Sequence, residues 1–71
     1  MRGSDVAELR AFMAIVECGN FARAAERLAV TPSALSQSIR RLERRLGQRL
    51  LNRTTRTTRP TDAGQTLYER L

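Results

Sequence analysis

The 71-residue chain has no histidine, no lysine, no tryptophan and only one cysteine. Without histidine, the common nucleophile–base pairs and the metal sites built on imidazole are excluded. A single cysteine also excludes an internal disulfide and a zinc site made of several cysteines. The acidic residues fall mostly at predicted helix caps or helix surfaces. The sequence therefore predicts no enzyme, no metal site and no cofactor.

Long apolar runs are missing as well. The longest is far below the ~20 residues of a membrane span, and no signal peptide is visible. We therefore expect a cytoplasmic location and no membrane partner. The length allows one domain at most, because a chain of this size buries only about 60% of the surface that it exposes when unfolded. Residues 1–4, MRGS, are either a native start or an expression-vector leader.

What the chain has in excess is arginine. Thirteen arginines against seven acidic residues give a net charge of +6. Arginine binds phosphate and guanine edges through a planar, bidentate group, whereas lysine offers only a compact charge. A GC-rich codon bias explains the missing lysine equally well. The charge itself predicts an anionic partner or a strongly self-repelling surface.

The spacing of apolar residues predicts three helices. The first begins at an Asp5 cap and runs to about residue 18, the second begins after the Asn20 cap, and the third starts at Thr31-Pro32 and ends at Gly47. Val30 is expected to fill the corner between the second and third helices. The predicted core positions of the three helices are Val6, Leu9, Phe12, Met13 and Val16; Phe21, Ala24, Ala25 and Leu28; and Leu35, Ile39, Leu42 and Leu46.

The first helix has a second face, small and partly apolar, formed by Ala11, Ala14, Ile15 and Cys18. In so short a globule this face would ordinarily be polar. We therefore expect another helix to cover it, either the C-terminal helix of this chain or a helix of a partner.

The third helix carries polar and basic residues opposite its apolar stripe. Arg40, Arg41, Arg44 and Arg45 crowd its end with only Glu43 among them. Like charges four positions apart cost about 0.2–0.5 kcal/mol per pair, so a polyanion explains this face better than solvation alone. A short helix, a tight turn and such a second helix form a helix-turn-helix, which places its second helix in the DNA major groove.

The stretch RTTRTTR repeats arginine at every third position, at Arg53, Arg56 and Arg59. It is either a flexible basic linker or a β-hairpin with strands at residues 50–53 and around 59–60. In the hairpin, Arg56 lies at the tip, where it can reach the narrow minor groove. The flanking leucines and the capped helix that follows favour the hairpin. Thr61 or Asp62 caps this last helix, and its abrupt end suggests a fragment of a longer protein.

From Val6 to Leu71 the chain resembles the N-terminal DNA-binding domain of LysR-type transcriptional regulators. The similarity includes LRAFMAIVECGNFARAAERLAVTPSALSQSIRRLERRLGQRLLNRTTR and the following TDAG. It implies a mainly α winged helix-turn-helix over residues 5–60, with a three-helix core and a short hairpin wing. Residues 61–71 would begin the linker helix through which the family dimerises. The implied function is sequence-specific binding of double-stranded DNA by a bacterial transcriptional regulator.

The resemblance also assigns roles to residues. The expected DNA contacts are Thr31, Pro32, Ser33, Ser36, Gln37 and Arg40 in the recognition helix, and Arg53 and Arg56 in the wing. The expected dimerisation contacts are Ala11, Ala14, Ile15, Cys18, Leu67 and Leu71. The full-length protein would be a homodimer or higher homo-oligomer on an operator with inverted half-sites. Many family members have Gln in place of Pro32 and Arg in place of Gln37, which alters the donors offered to bases. The family's effector-binding domain is absent from this sequence.

A cationic module that binds RNA or anionic lipid is the alternative. RNA readers typically stack bases on aromatic side chains, but Phe12 and Phe21 belong to the predicted core. A membrane-surface helix has bulky apolar residues on an exposed face, which the third helix lacks. The sequence therefore favours DNA.

Overall fold

The computed structural model describes the backbone of residues 3–53 and 57–71 and the side chains of residues 6–52 and 57–71. Within these ranges the chain is mainly helical, with one antiparallel two-stranded hairpin. This confirms the predicted fold class. The elements in chain order are α1 (Gly3–Cys18), α2 (Phe21–Leu28), α3 (Pro32–Leu46), β1 (Leu51–Arg53), β2 (Thr58–Pro60) and α4 (Asp62–Arg70).

Local signals fix the boundaries of α2 and α3 as predicted. The Asn20 side chain accepts a hydrogen bond from the backbone N–H three residues later, at 3.0 Å, and so caps α2. The Thr31 hydroxyl does the same for α3 at 3.1 Å, with Pro32 in the first turn. Gly47 ends α3 with a positive φ of 68°, a conformation that glycine adopts at little cost.

The predicted start of α1 is wrong. The helix begins at Gly3, so Asp5 lies inside it and is not its cap. Glu8, in the same helix, is 6% exposed and binds the Arg45 guanidinium across 2.6 Å. Its carboxylate therefore joins α1 to the end of α3.

The core lies where α1 packs against α2, α3 and β2. Two small residues of α2, Ala24 and Ala25, are buried at this junction, and small side chains let helix axes approach closely. The buried apolar residues are Ala11, Phe12, Ala14, Ile15, Ala24, Ala25, Leu35, Ile39, Leu42, Leu50 and Leu51.

Three residues assigned to the core lie on the surface: Val6 is 37%, Val30 43% and Leu46 46% exposed. Val6 and Leu46 lie near the outer ends of their helices. Val30 follows Ala29, which ends α2 with a left-handed φ of 57°, and the exposure of Val30 shows that it does not fill the corner.

The second face of α1 is not a docking surface. Ala11, Ala14 and Ile15 are 3%, 4% and 0% exposed, and they belong to the same core cluster as residues of α2 and α3. The dimerisation contacts assigned to these three residues are therefore wrong, because the chain's own helices already cover them. Cys18 is half-buried beside this core.

The two strands of the hairpin pair in an antiparallel register. Leu51 pairs with Pro60, Asn52 with Arg59 and Arg53 with Thr58, which confirms the predicted strands.

None of the described helices is long and apolar enough to cross a membrane.

Thr61 is the cap of α4. Its hydroxyl accepts from the Gly64 N–H at 3.1 Å and donates to the Arg49 carbonyl at 2.6 Å, while its own N–H donates to the Leu50 carbonyl at 2.9 Å. Gly64 lies so close to this carbonyl that a Cβ would overlap it. Only glycine therefore lets α4 start at this position.

Candidate nucleic-acid interface

The exposed face of α3 is basic. The helix buries Leu35, Ile39 and Leu42 on one side. On the other side, four exposed side chains line one shallow groove: Gln37, Arg40, Arg41 and Arg44. The capped start and the apolar stripe hold this face towards solvent.

The predicted contact residues of α3 share the first half of this surface. Thr31, Pro32, Ser33, Gln37 and Arg40 are exposed, whereas Ser36 is half-buried and has a polar partner of its own. The Thr31 hydroxyl is engaged as the helix cap, so it retains its proton for a further bond. The structure therefore brings Gln37 and Arg40 together in one groove.

The predicted contacts of the hairpin are only partly described. Arg53 lies in β1, but its side chain is outside the described residues, and so is the whole of Arg56. On β2, the neighbouring Arg59 is exposed.

Two arginines of the groove, Arg41 and Arg44, belong to the basic face that the sequence assigned to a polyanion, but they were not among the contacts carried over from the family resemblance. Each lies four residues after a predicted contact, Gln37 or Arg40, and therefore on the same side of the helix.

The arginines of α3 differ in how their charge is balanced. Arg45 pairs with Glu8, so the charge of one of the four arginines at the helix end is balanced within the chain. Among the described residues, no carboxylate lies within 4.0 Å of the guanidinium groups of Arg40, Arg41 or Arg44. Within the part of the chain that the structure describes, three positive charges on one helix face are thus left for an external anion.

Glu43, the one acidic residue among these arginines, binds the backbone of a following segment. Glu43 Oε2 accepts hydrogen bonds from the backbone N–H groups of Leu50 at 2.7 Å and Leu51 at 3.3 Å. Its carboxylate is therefore committed to the segment that leads into β1.

A second carboxylate, Glu17, connects α1 to α2 and α4. Its Oε1 accepts from Arg27 at 2.7 Å and its Oε2 from the Tyr68 hydroxyl at 3.0 Å. The hydrogen bond to Glu17 raises the pKa of Tyr68, and partial desolvation and the negative charge of Glu17 act in the same direction. Tyr68 thus holds α4 to the core.

A three-helix core with an exposed basic third helix and a hairpin behind it defines a winged helix-turn-helix domain. Residues 6–65 match the model of the family described as bacterial regulatory helix-turn-helix protein, lysR family. The chain belongs to this family.

Curated relatives share about half of the aligned sequence. The chain is 52% identical over 67 residues to the HTH-type transcriptional regulator PgrR of Escherichia coli, covering 94% of this chain and 22% of that protein. It is 57% identical over 60 residues to a putative transcriptional regulator of Pseudomonas aeruginosa, covering 84% and 20%. The chain thus spans about a fifth of the length of the curated relatives it matches.

Solved structures share the fold. The DNA-binding domain of CbnR in complex with DNA has a TM-score of 0.87 and 38% identity, covering 90% of this chain and 74% of that chain. Oxidised OxyR of Corynebacterium glutamicum has a TM-score of 0.88 and 41% identity, covering 90% and 20%.

Proposed function

We propose that this chain is the part of a bacterial transcriptional regulator that binds double-stranded DNA. The observation that carries the proposal is the groove of Gln37, Arg40, Arg41 and Arg44, where the arginine charges have no carboxylate partner among the described residues. Solved structures that share the fold include DNA complexes of the CbnR and BenM DNA-binding domains, which supports DNA as the partner. The domain acts by binding and not by catalysis.

In this proposal α3 enters the major groove and the hairpin lies at the adjacent minor groove. A helix of 15 residues is about 22 Å long, and the major groove of B-DNA, about 12 Å wide, admits it. The arginines contact phosphates or guanine edges, and the Gln37 amide can pair with both N6 and N7 of an adenine. Pro32 offers no N–H, so its contact is apolar.

The proposed DNA contacts are the residues assigned by the family resemblance together with Arg41 and Arg44, the two other arginines of the groove. They are Thr31, Pro32, Ser33, Ser36, Gln37, Arg40, Arg41 and Arg44 of the recognition helix and its cap, and Arg53 and Arg56 of the hairpin.

The full-length protein is proposed to act in the cytoplasm as a homodimer or higher oligomer on inverted half-sites. Since Ala11, Ala14 and Ile15 are buried in the core, the contacts with a second copy are left to residues nearer α4. The half-buried Leu67 and the exposed Leu71 fit this role, and Cys18 lies beside the same part of the core.

The test is a competition experiment followed by selection. A labelled duplex bound to the domain is challenged with random-sequence duplex, with RNA and with anionic vesicles. Duplex DNA should displace the label most effectively, and selection from a random duplex pool should then return a preferred sequence. Displacement by RNA or vesicles at lower concentrations than DNA would overturn the proposal.

A matched pair of variants tests the role of α3. Gln37→Ala should cost about 1–3 kcal/mol on the selected duplex and relax the preference at one base pair. Gln48→Ala removes an exposed glutamine just beyond α3 and should leave both unchanged. Equal effects of the two substitutions would show that Gln37 does not read bases.

A further inference from the structure

The carboxylate of Glu43 lies between the recognition helix and the hairpin. Both N–H groups that it binds belong to buried residues, since Leu50 and Leu51 are 1% and 4% exposed. A buried N–H without a partner costs free energy comparable to a lost hydrogen bond. The segment that leads into β1 is therefore placed where the Glu43 side chain can reach it.

The same segment is held from its other side by α4. The Leu50 carbonyl accepts from the Thr61 N–H at 2.9 Å, so the residue is fixed to α3 through its N–H and to α4 through its carbonyl. The second strand has its own anchor, because the Thr58 N–H donates to the Gly19 carbonyl at 3.1 Å. Glu43 is thus the side chain through which α3 holds the first strand.

We propose that Glu43 is a positioning residue for DNA recognition, which sets the place of the hairpin relative to α3. The inference rests on the proposed function, in which α3 and the hairpin meet adjacent grooves of one duplex. Their separation must then match the distance between the grooves. A shift at the base of the hairpin would cost the hairpin contacts while leaving those of α3 in place.

Two substitutions separate this role from a simple effect of charge. Glu43→Gln removes the charge but keeps an acceptor oxygen at the same reach. Glu43→Asp keeps the charge but withdraws the carboxylate by about 1.5 Å, the length of one C–C bond. Glu26→Gln and Glu26→Asp, at an exposed position of α2, are the matched controls.

The first measurement needs no DNA. Amide hydrogen exchange of Leu50 and Leu51 in the folded domain should be about tenfold faster in Glu43→Asp and nearly unchanged in Glu43→Gln and in both controls. Wild-type exchange at these two amides in Glu43→Asp would show that the hydrogen bonds do not hold the segment, and would overturn the proposal.

The second measurement uses the duplex selected from a random pool by the wild-type domain. Hydroxyl-radical cleavage reports the minor groove, and methylation of guanine N7 reports the major groove. Glu43→Asp should lose minor-groove protection and about tenfold in affinity, while major-groove protection persists. Glu43→Gln should behave as wild type.

The other outcomes each reject the proposal. Tighter binding by Glu43→Gln with unchanged binding by Glu43→Asp would show an effect of charge. Loss of both footprints in proportion to the unfolded fraction, measured by circular dichroism, would show an effect on folding alone. If the wild-type domain protects neither groove of any duplex, it is the proposed function that fails, and that result is recognised before any variant is compared.

Discussion

The salt dependence of DNA binding should separate the arginines of α3 from an arginine that already has a carboxylate partner. Arg44 lines the basic groove, and no carboxylate of the described residues lies within 4.0 Å of it. Arg27 is also exposed but pairs with Glu17 at 2.7 Å. Arg44→Gln and Arg27→Gln remove the same charge from the chain. We expect only the first to change the number of counterions that DNA releases on binding.

The magnitude follows from the number of free guanidinium groups on the proposed interface. If four of the five arginines on the proposed interface, Arg44 among them, each neutralise one phosphate, log K falls with log[salt] at a slope of about −3.6. Removing one of them gives a slope of about −2.7. Between 50 and 200 mM salt, the wild-type domain should then lose about 150-fold in affinity and the Arg44→Gln variant only about 40-fold.

Fluorescence anisotropy of a labelled duplex, titrated across a salt series, measures these slopes directly. Arg27→Gln should keep the wild-type slope, and the loss of its exposed ion pair should change stability by less than about 1 kcal/mol. Equal slopes for the two variants would refute the assignment of Arg44 to the interface. A wild-type slope near zero would refute phosphate binding altogether.

Three further predictions concern the fold. Ile15→Ala should lower the free energy of unfolding by about 2–5 kcal/mol in thermal or denaturant unfolding, because the Ile15 side chain is fully buried. Val30→Ala, at an exposed position, should change this free energy by less than about 0.5 kcal/mol. Similar losses for the two substitutions would contradict the described core. Gly64→Ala should cost about 1–3 kcal/mol or more, since the new methyl group overlaps a backbone carbonyl, and an unchanged melting temperature would exclude that close approach. The hydrogen bond to Glu17 raises the pKa of Tyr68 in the folded state. This hydrogen bond therefore contributes to the free energy of unfolding below the ordinary tyrosine pKa of about 10, and its contribution is lost as pH rises through the higher pKa of Tyr68 in the folded protein. Tyrosinate absorbance of this single tyrosine should titrate at lower pH in Glu17→Ala, and identical curves would disprove the coupling.

The features predicted well from the sequence depend on local chemistry. Asn20, Thr31 and Gly47 mark helix ends because a side chain or a backbone angle within three residues decides them. The strands were found for a similar reason, as a leucine pair and a capped helix bound the threonine-rich stretch.

The errors arose where distant parts of the chain meet. The residues next to Glu8 do not indicate its partner, because Arg45 lies 37 residues away. The second face of α1 was predicted to be covered by the C-terminal helix or by a helix of a partner, because a helix in a small domain ordinarily buries only one face. Here α1 lies between α2, α3 and β2, so both of its apolar faces are covered.

In the candidate site, too, the local features were predicted from the sequence and the long-range contact was not. The periodicity of α3 predicted its exposed polar face, including Gln37 and Arg40. The sequence did not reveal that Glu43 binds the backbone, because that contact requires the chain to turn back after Gly47 and bring Leu50 to α3. An acid among arginines looks like an ordinary surface charge until that turn is known.

The junction at the start of α4 has a mechanical consequence. Thr61 makes two hydrogen bonds, to the carbonyls of residues 49 and 50, and Gly64 packs closely against Leu50. These contacts fix the first turn of α4 against the base of the hairpin. We therefore expect α4 and the hairpin to move together as one rigid unit. A twist applied at the far end of α4 would not be absorbed by a hinge at residue 61, and would tilt the hairpin together with the helix.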